Sequence, residues 1–181
     1  MTHQPVLGAV LAGGRSSRFG SDKAAAAWHG RALADHAAAL IGQHVDRVVV
    51  VGGTRGEVDD LPAPGLGPLG GIAGALGFAA AHGFASVLTI GCDMVRLPPE
   101  LLPALLRRAP SFCEDAPVLG HWSVALAGRA LAMAGGDDRS VRGWARAIGA
   151  LPIAASGPIA NVNTPADLDA LVRDGEDLLA L

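Results

Sequence analysis

Six residues, Val6-Leu-Gly-Ala-Val-Leu11, form an apolar run with β-branched members and no 3.6-residue stripe, and the run stops at Gly13-Gly14. A short run of this kind is a strand buried on both faces, which requires a parallel sheet covered by helices. The glycines after it let backbone N–H groups approach a ligand and form an anion-binding nest. Arg15, Arg18 and Lys23 follow in the same stretch, so the local charge is positive and a triphosphate is the expected guest. A plain βα turn with a solvated basic face would use the same glycines. The spacing is neither G-x-x-x-x-G-K-[ST] nor G-x-G-x-x-G, which disfavours a P-loop ATPase and a standard dinucleotide site.

Lys23 is the only lysine beside thirteen arginines. Where arginine serves as the general cation, a retained lysine marks a place that needs a compact ammonium.

The rest of the chain repeats the strand and helix alternation. Ala32–Gln43 is helical in spacing, Arg47–Val51 is a second buried strand, and Gly52–Gly67 has loop chemistry. Pro68–Ala81 is a helix opened by proline in its first turn, with small residues that allow close packing. Ser86–Ile90 is a third strand, and Pro98–Arg108 a helix with basic residues at its end. Val118–Leu126 is expected to hold further strand, interrupted near Gly120-His121. Helices are expected over Arg129–Met133 and Ser140–Ile148, and a short strand over Leu151–Ala155. Thr164-Pro165-Ala-Asp167 supplies an N-cap hydroxyl, a first-turn proline and an N3 acid for a last helix carrying Leu168, Leu171 and Val172. Together these predict one α/β domain over 1–181: a three-layer α/β/α sandwich on a mostly parallel sheet.

Ligands of such sheets sit beyond the carboxyl ends of the strands. Three groups are expected there: the glycine loop, Asp93 after the third strand, and Asn161-Val-Asn163 after a late segment ending near Ile159. Asp93 suits Mg²⁺, a hard ion that takes one or two carboxylates beside phosphate oxygens and water; its alternative role is to cap the helix at Pro98. Gly67-Pro-Leu-Gly-Gly71 could be a turn or a second phosphate wall at a helix start. Asn161 and Asn163 are expected on opposite sides, one toward ligand or metal and one fixing the loop, unless both serve a turn. His121 reads as a buried or rim histidine without an acid partner, and no nucleophile motif is present.

Composition narrows the remaining classes. A net charge of −3 gives no general attraction to nucleic acid or anionic membrane. Cys92 and Cys113 lie in no zinc or disulfide pattern, which fits reduced thiols in a cytoplasm. The uncharged stretch Leu61–Cys92 is broken by prolines and glycines, so it reads as loop, buried helix and strand, with no membrane span. The first residues lack a basic n-region, so no export signal is expected.

The segment L-A-G-G-x-S-x-R-F-G-x-D-K-A resembles the signature of nucleotidyltransferases with a GT-A-like, Rossmann-related fold, and in particular the MobA family of molybdenum cofactor guanylyltransferases. The likeness runs from Val6 to about Leu171, through Gly67-Pro-Leu-Gly-Gly-Ile72, Cys92-Asp93 with Leu97-Pro98, His121–Leu126, Arg139 and Asn161-Val-Asn-Thr-Pro165. The last is the most particular to the family. The resemblance implies that Leu11, Ala12, Gly13 and Gly14 contact the nucleotide, that Lys23 binds its phosphates, and that Asp93 holds Mg²⁺. It further implies that Arg18, Gly67, Gly71, Arg139, Asn161 and Asn163 lie on the molybdopterin side, Arg18 with Lys23 and Asp93 serving catalysis.

Four departures stand out. Gly52 occupies the place of an asparagine near the guanine, and a shortened loop offers Asp59 or Asp60, of which Asp60 is the expected nucleotide contact, for an aspartate there. Val95 replaces a frequent proline and Phe19 a frequent methionine. The implied reaction is attack by the terminal phosphate of molybdopterin on the α-phosphorus of Mg-GTP, which needs positioning and charge neutralisation and no protein nucleophile. GTP and molybdopterin are then the substrates, with cofactor-insertion proteins or molybdoenzymes as further partners. The alternatives are a relative using CTP or a sugar phosphate, and a nucleotide-binding protein without turnover.

Overall fold

The computed structural model describes residues 3–13, 23–164 and 166–167, with the backbone alone at Lys23. The readings made on Gly14, Arg15, Arg18, Phe19, Asp22, the Lys23 side chain, Pro165, Leu168, Leu171 and Val172 lie outside the described residues.

In chain order the strands are β1 (Val6–Leu11), β2 (Ala27–Trp28), β3 (Arg31–Ala32), β4 (Arg47–Val51), β5 (Ser86–Gly91), β6 (Met94–Arg96), β7 (Ser111–Cys113), β8 (Gly120–Ser123), β9 (Leu151–Ile153) and β10 (Ala160–Asn161). The helices are α1 (Leu33–Gly42), α2 (Pro68–Ala81), α3 (Leu101–Leu106), α4 (Ala127–Ala134) and α5 (Val141–Ala147). Six strands form one sheet in the order β4-β1-β5-β8-β7-β9. Every pairing is parallel except those of β8, which runs against both β5 and β7.

Side-chain alternation along β1 sends Leu7, Ala9 and Leu11 into one core and Val10 into the other, as period-two geometry requires. The first core is roofed by α2, α4 and α5 through Leu69, Ile72, Leu76, Ala130 and Trp144; the second is roofed by α1 and α3 through Ala37, Ile41, Leu101 and Leu105. The three expected layers are therefore present. In α2 every residue from Leu69 to Leu76 is buried, and its small side chains allow that depth: a Cβ on Gly74 would collide with the carbonyl oxygen of Asp59.

Several expectations need correction. The strand expected to break near Gly120-His121 begins there, because β8 pairs on both edges through these residues. The helix expected from Pro98 starts only at Leu101, and no side chain caps it, so Asp93 is not its cap. Three short elements were not anticipated: β7, the ribbon of β10 on β6, and the two strands β2 and β3 that flank the turn expected at Trp28-His-Gly30, where His29 and Gly30 have φ 49° and 72°. Each is too short to carry its own periodicity. At the far end, the expected box is formed: Asp167 N–H donates to Thr164 Oγ1 at 3.2 Å, and Asn163 and Thr164 N–H donate to Asp167 Oδ2 at 2.7 and 2.8 Å.

Candidate active site

The parallel register aligns the ends of three strands, since Leu11 stands opposite Val51 of β4 and Gly91 of β5. The chain leaves β1 for α1 on one face and β4 for α2 on the other, which opens a crevice between the two departing loops. Hydrogen bonds hold its rim: Ala12 N–H donates to Val51 O at 2.9 Å and Cys92 N–H to Leu11 O at 3.1 Å.

Inside the crevice lies a carboxylate. After β4 the chain folds back, with Glu57 and Val58 N–H bonded to Val50 O at 2.9 and 3.2 Å and Gly52 N–H to Val58 O at 2.8 Å. Leu61 N–H then bonds Gly70 O at 3.0 Å in the first turn of α2. This return leaves Asp59 exposed and Asp60 only 6% exposed. The Asp60 carboxylate faces glycines on three sides: an added Cβ would sit 2.9 Å from Oδ2 at Gly13, 2.8 Å from Oδ1 at Gly52 and 3.5 Å from Oδ1 at Gly71. Gly52 also has φ +69°, a conformation side chains resist. Burial pushes the Asp60 carboxyl above the ordinary carboxylate range; the Gly65 N–H, donating to Oδ2 at 3.3 Å, opposes this, and the charge of Asp59 adds to it.

Asp93 is the half-buried residue two beyond the end of β5. Its side chain folds back over the strand end, where a Cβ on Gly91 would lie 2.5 Å from Oδ1. Its main-chain carbonyl accepts from Val162 N–H at 2.8 Å, which brings the Asn161–Asn163 segment to its side. That segment does not follow a strand of the main sheet as expected; Asn161 belongs to the ribbon opposite Met94. The expected division of the two asparagines is also overturned. Positions two apart in extended chain share a face, and Asn161 and Asn163 are both exposed around a fully buried Val162.

Other expected residues are placed less closely. Gly67 is the N-cap of α2 at φ 81°, its carbonyl accepting from Gly70 and Gly71 N–H at 3.0 and 3.4 Å, with nothing within 4 Å of the position of its missing Cβ. Arg139 is exposed just before α5. Lys23 opens a single 3₁₀ turn whose next residue, Ala24, is buried in the core on the α1 side of the sheet. His121 is a core residue as expected: Nδ1–H donates to Leu105 O at 3.2 Å, leaving Nε2 to accept from Ser86 Oγ at 2.8 Å.

The arrangement suits a nucleoside triphosphate. The Asp60 carboxylate, bounded by glycine backbone, and the separate Asp93 carboxylate both lie beyond the carboxyl ends of the parallel strands, where such sheets take ligands. Among the described residues no three His, Cys, Asp or Glu converge on one point. Among the described residues Asp93 is an oxygen donor of the kind Mg²⁺ takes beside phosphate oxygens and water, and no zinc-type set of ligands accompanies it.

The family described as "MobA-like NTP transferase domain" matches residues 8–147. A molybdenum cofactor guanylyltransferase from Xanthomonas euvesicatoria pv. vesicatoria is 34% identical, over 96% of this chain and 98% of its own. The structure resembles molybdopterin-guanine dinucleotide biosynthesis protein A of Archaeoglobus fulgidus with TM-score 0.72 and 19% identity, covering 94% and 99% of the two chains. It also resembles Rv0371c of Mycobacterium tuberculosis H37Rv in complex with manganese, with TM-score 0.63 and 17% identity over 95% and 100%.

Proposed function

The chain belongs to the MobA-like NTP transferase family, and on that footing we propose that it is a molybdenum cofactor guanylyltransferase. A single cytoplasmic domain transfers GMP from Mg-GTP to Mo-molybdopterin and releases pyrophosphate, forming the guanine dinucleotide cofactor for molybdoenzymes or their insertion proteins. The observation that carries the reading is Asp60, a buried acceptor enclosed by Gly13, Gly52 and Gly71 at the head of the nucleotide slot. Guanine presents N1–H and a 2-amino group side by side, and two adjacent donors match a carboxylate; cytosine presents no such pair. No side chain could replace the missing asparagine at Gly52, where a Cβ would lie 2.8 Å from Asp60 Oδ1 and 3.0 Å from Gly13 Cα, so base recognition there falls to Asp60 and backbone.

Each residue then has a physical task. Leu11, Ala12, Gly13 and Gly14 bind the nucleotide, Lys23 neutralises its phosphates, and Arg18 serves catalysis from the molybdopterin side. Asp93 holds Mg²⁺, which when bound draws charge from the α-phosphate and its leaving pyrophosphate. By the family resemblance Asn161, Asn163, Gly67 and Arg139 receive molybdopterin, whereas Gly71, which the resemblance grouped with them, faces the Asp60 carboxylate. The attacking phosphate is already an anion at neutral pH, so the protein orients and neutralises and need not move a proton.

Pyrophosphate release with each of the four NTPs and molybdate-loaded molybdopterin tests the reading. GTP is expected to be preferred over ATP, CTP and UTP, and a preference for CTP in its place would overturn the guanylyl assignment.

A further inference from the structure

The connections that leave β1 and β4 diverge to opposite faces of the sheet, and one ion pair joins them again. Arg55, in the segment that follows β4, donates from Nη2 to both oxygens of Asp35, at 3.1 Å to Oδ1 and 3.3 Å to Oδ2. Asp35 stands in the first turn of α1, the helix to which β1 leads. The pair ties the loop beyond β4 to the α1 face, while Leu61 N–H, bonded to Gly70 O at 3.0 Å, ties the same loop to α2.

Segment 52–56, Gly-Gly-Thr-Arg-Gly, needs such a tie. Glycine loses more conformational freedom on ordering than any other residue, and three of these five are glycine. Sterics keep all three: an added Cβ would lie 3.0 Å from Gly13 Cα at Gly52, 3.1 Å from Ala12 O at Gly53 and 2.6 Å from Gly52 O at Gly56. The segment is thus pressed onto the main chain of Ala12 and Gly13, with no room for side chains that would stiffen it. Its base is fixed by Gly52 N–H to Val58 O at 2.8 Å and Glu57 N–H to Val50 O at 2.9 Å; Arg55 reaches outward from between them.

We propose that Asp35 and Arg55 are a positioning pair for the nucleotide: their ion pair holds segment 52–56 against Ala12 and Gly13 and so sets how tightly a nucleoside triphosphate binds, without part in the transfer step. The proposal rests on the reading that Ala12 and Gly13 bind the nucleotide. Neither side chain touches the substrate. Each is 39% exposed, and a pair so exposed is weak and screened by salt, which fixes the effect at a few-fold in affinity. A direct contact of Arg55 with phosphate predicts the reverse at Asp35, since releasing the guanidinium from its partner would then tighten binding.

The test uses the full chain, with calorimetric Kd for each of the four NTPs in Mg²⁺ and steady-state pyrophosphate release. Asp35→Asn and Arg55→Gln should each raise the Kd and KM for GTP about threefold to fivefold and leave kcat unchanged. The double variant should be no weaker than either single one, because partners in one interaction are non-additive. An acid in the first turn of α1 also favours the helix, a role that Arg55→Gln leaves untouched, so a shared loss belongs to the pair. Raising the ionic strength should narrow the gap between wild type and variants. Amide exchange across 52–58 should quicken in both variants without nucleotide. Tighter GTP binding in Asp35→Asn, additive losses in the double variant, a fall in kcat at constant KM, or unaltered exchange would overturn the proposal. Another NTP bound in place of GTP and weakened in the same way would defeat the guanylyltransferase reading alone; GTP turnover that neither variant alters would defeat this proposal alone; a wild type that binds no NTP would defeat both.

Discussion

The N–H of Val162 donates to the carbonyl oxygen of Asp93 across 2.8 Å, joining the end of β5 to a segment nearly seventy positions later in the chain. The bond is made by main-chain atoms, so it does not depend on the Asp93 carboxylate itself. Because Val162 is fully buried, the exposed Asn161 and Asn163 on either side are held at the edge of the Asp93 site.

Asp93→Asn should therefore fold as the wild type does and lose most metal-dependent turnover, by about a hundredfold or more if the carboxylate's ion stabilises transition-state charge. Circular dichroism and steady-state kcat across a Mg²⁺ titration check this. Turnover within a few-fold of wild type would remove Asp93 from the metal site.

Lys23→Arg should be damaging although charge is conserved. A planar guanidinium cannot take the place of a compact ammonium among crowded phosphates, and this chain uses arginine at every other basic position. Equal kcat/KM for the two proteins would refute the role.

Asp60→Asn should separate stability from function. The Asp60 carboxyl is pushed above its ordinary value of 3.8, chiefly by burial. A group raised in this way favours the fold at pH below its unfolded value and loses that contribution as pH rises through its folded value, so at neutral pH the charge is a burden. The amide should hold or raise Tm at pH 7 while the KM for GTP increases and GTP loses its margin over ATP. A lowered Tm together with unchanged nucleotide preference would contradict both halves.

His121 sets an acid limit on stability. Burial lowers its pKa from the ordinary 6.5, with the Leu105 and Arg108 carbonyls opposing. The unfolded chain then binds a proton that the folded one refuses, so the contribution is complete above about pH 6.5 and falls as pH drops through that value toward the folded one. Thermal melts from pH 7.5 to 5.5 should show declining Tm, with a shallower decline in His121→Gln. Parallel curves for the two proteins would reject the assignment.

The strands and helices that frame the site were legible because each has the length and periodicity to declare itself. Val6–Leu11, Arg47–Val51 and Pro68–Ala81 occur in the structure with the expected bounds, for buried parallel strands must be continuously apolar and a helix start tolerates proline. Asp93 was legible as a carboxylate at a strand end. What the chain alone could not decide depends on partners distant in sequence. β7 is three residues long and is a strand only because β8 and β9 flank it. Asp60 rather than Asp59 is buried against Gly13, Gly52 and Gly71 because the loop folds back along β4 and its Leu61 ties to α2, a register set by hydrogen bonds that neither aspartate announces. Asn161 and Asn163 share a face because Val162 between them fills a cluster with Leu33 and Val95. Local composition determines which elements form; the burial of a few side chains between elements determines which way their polar neighbours face.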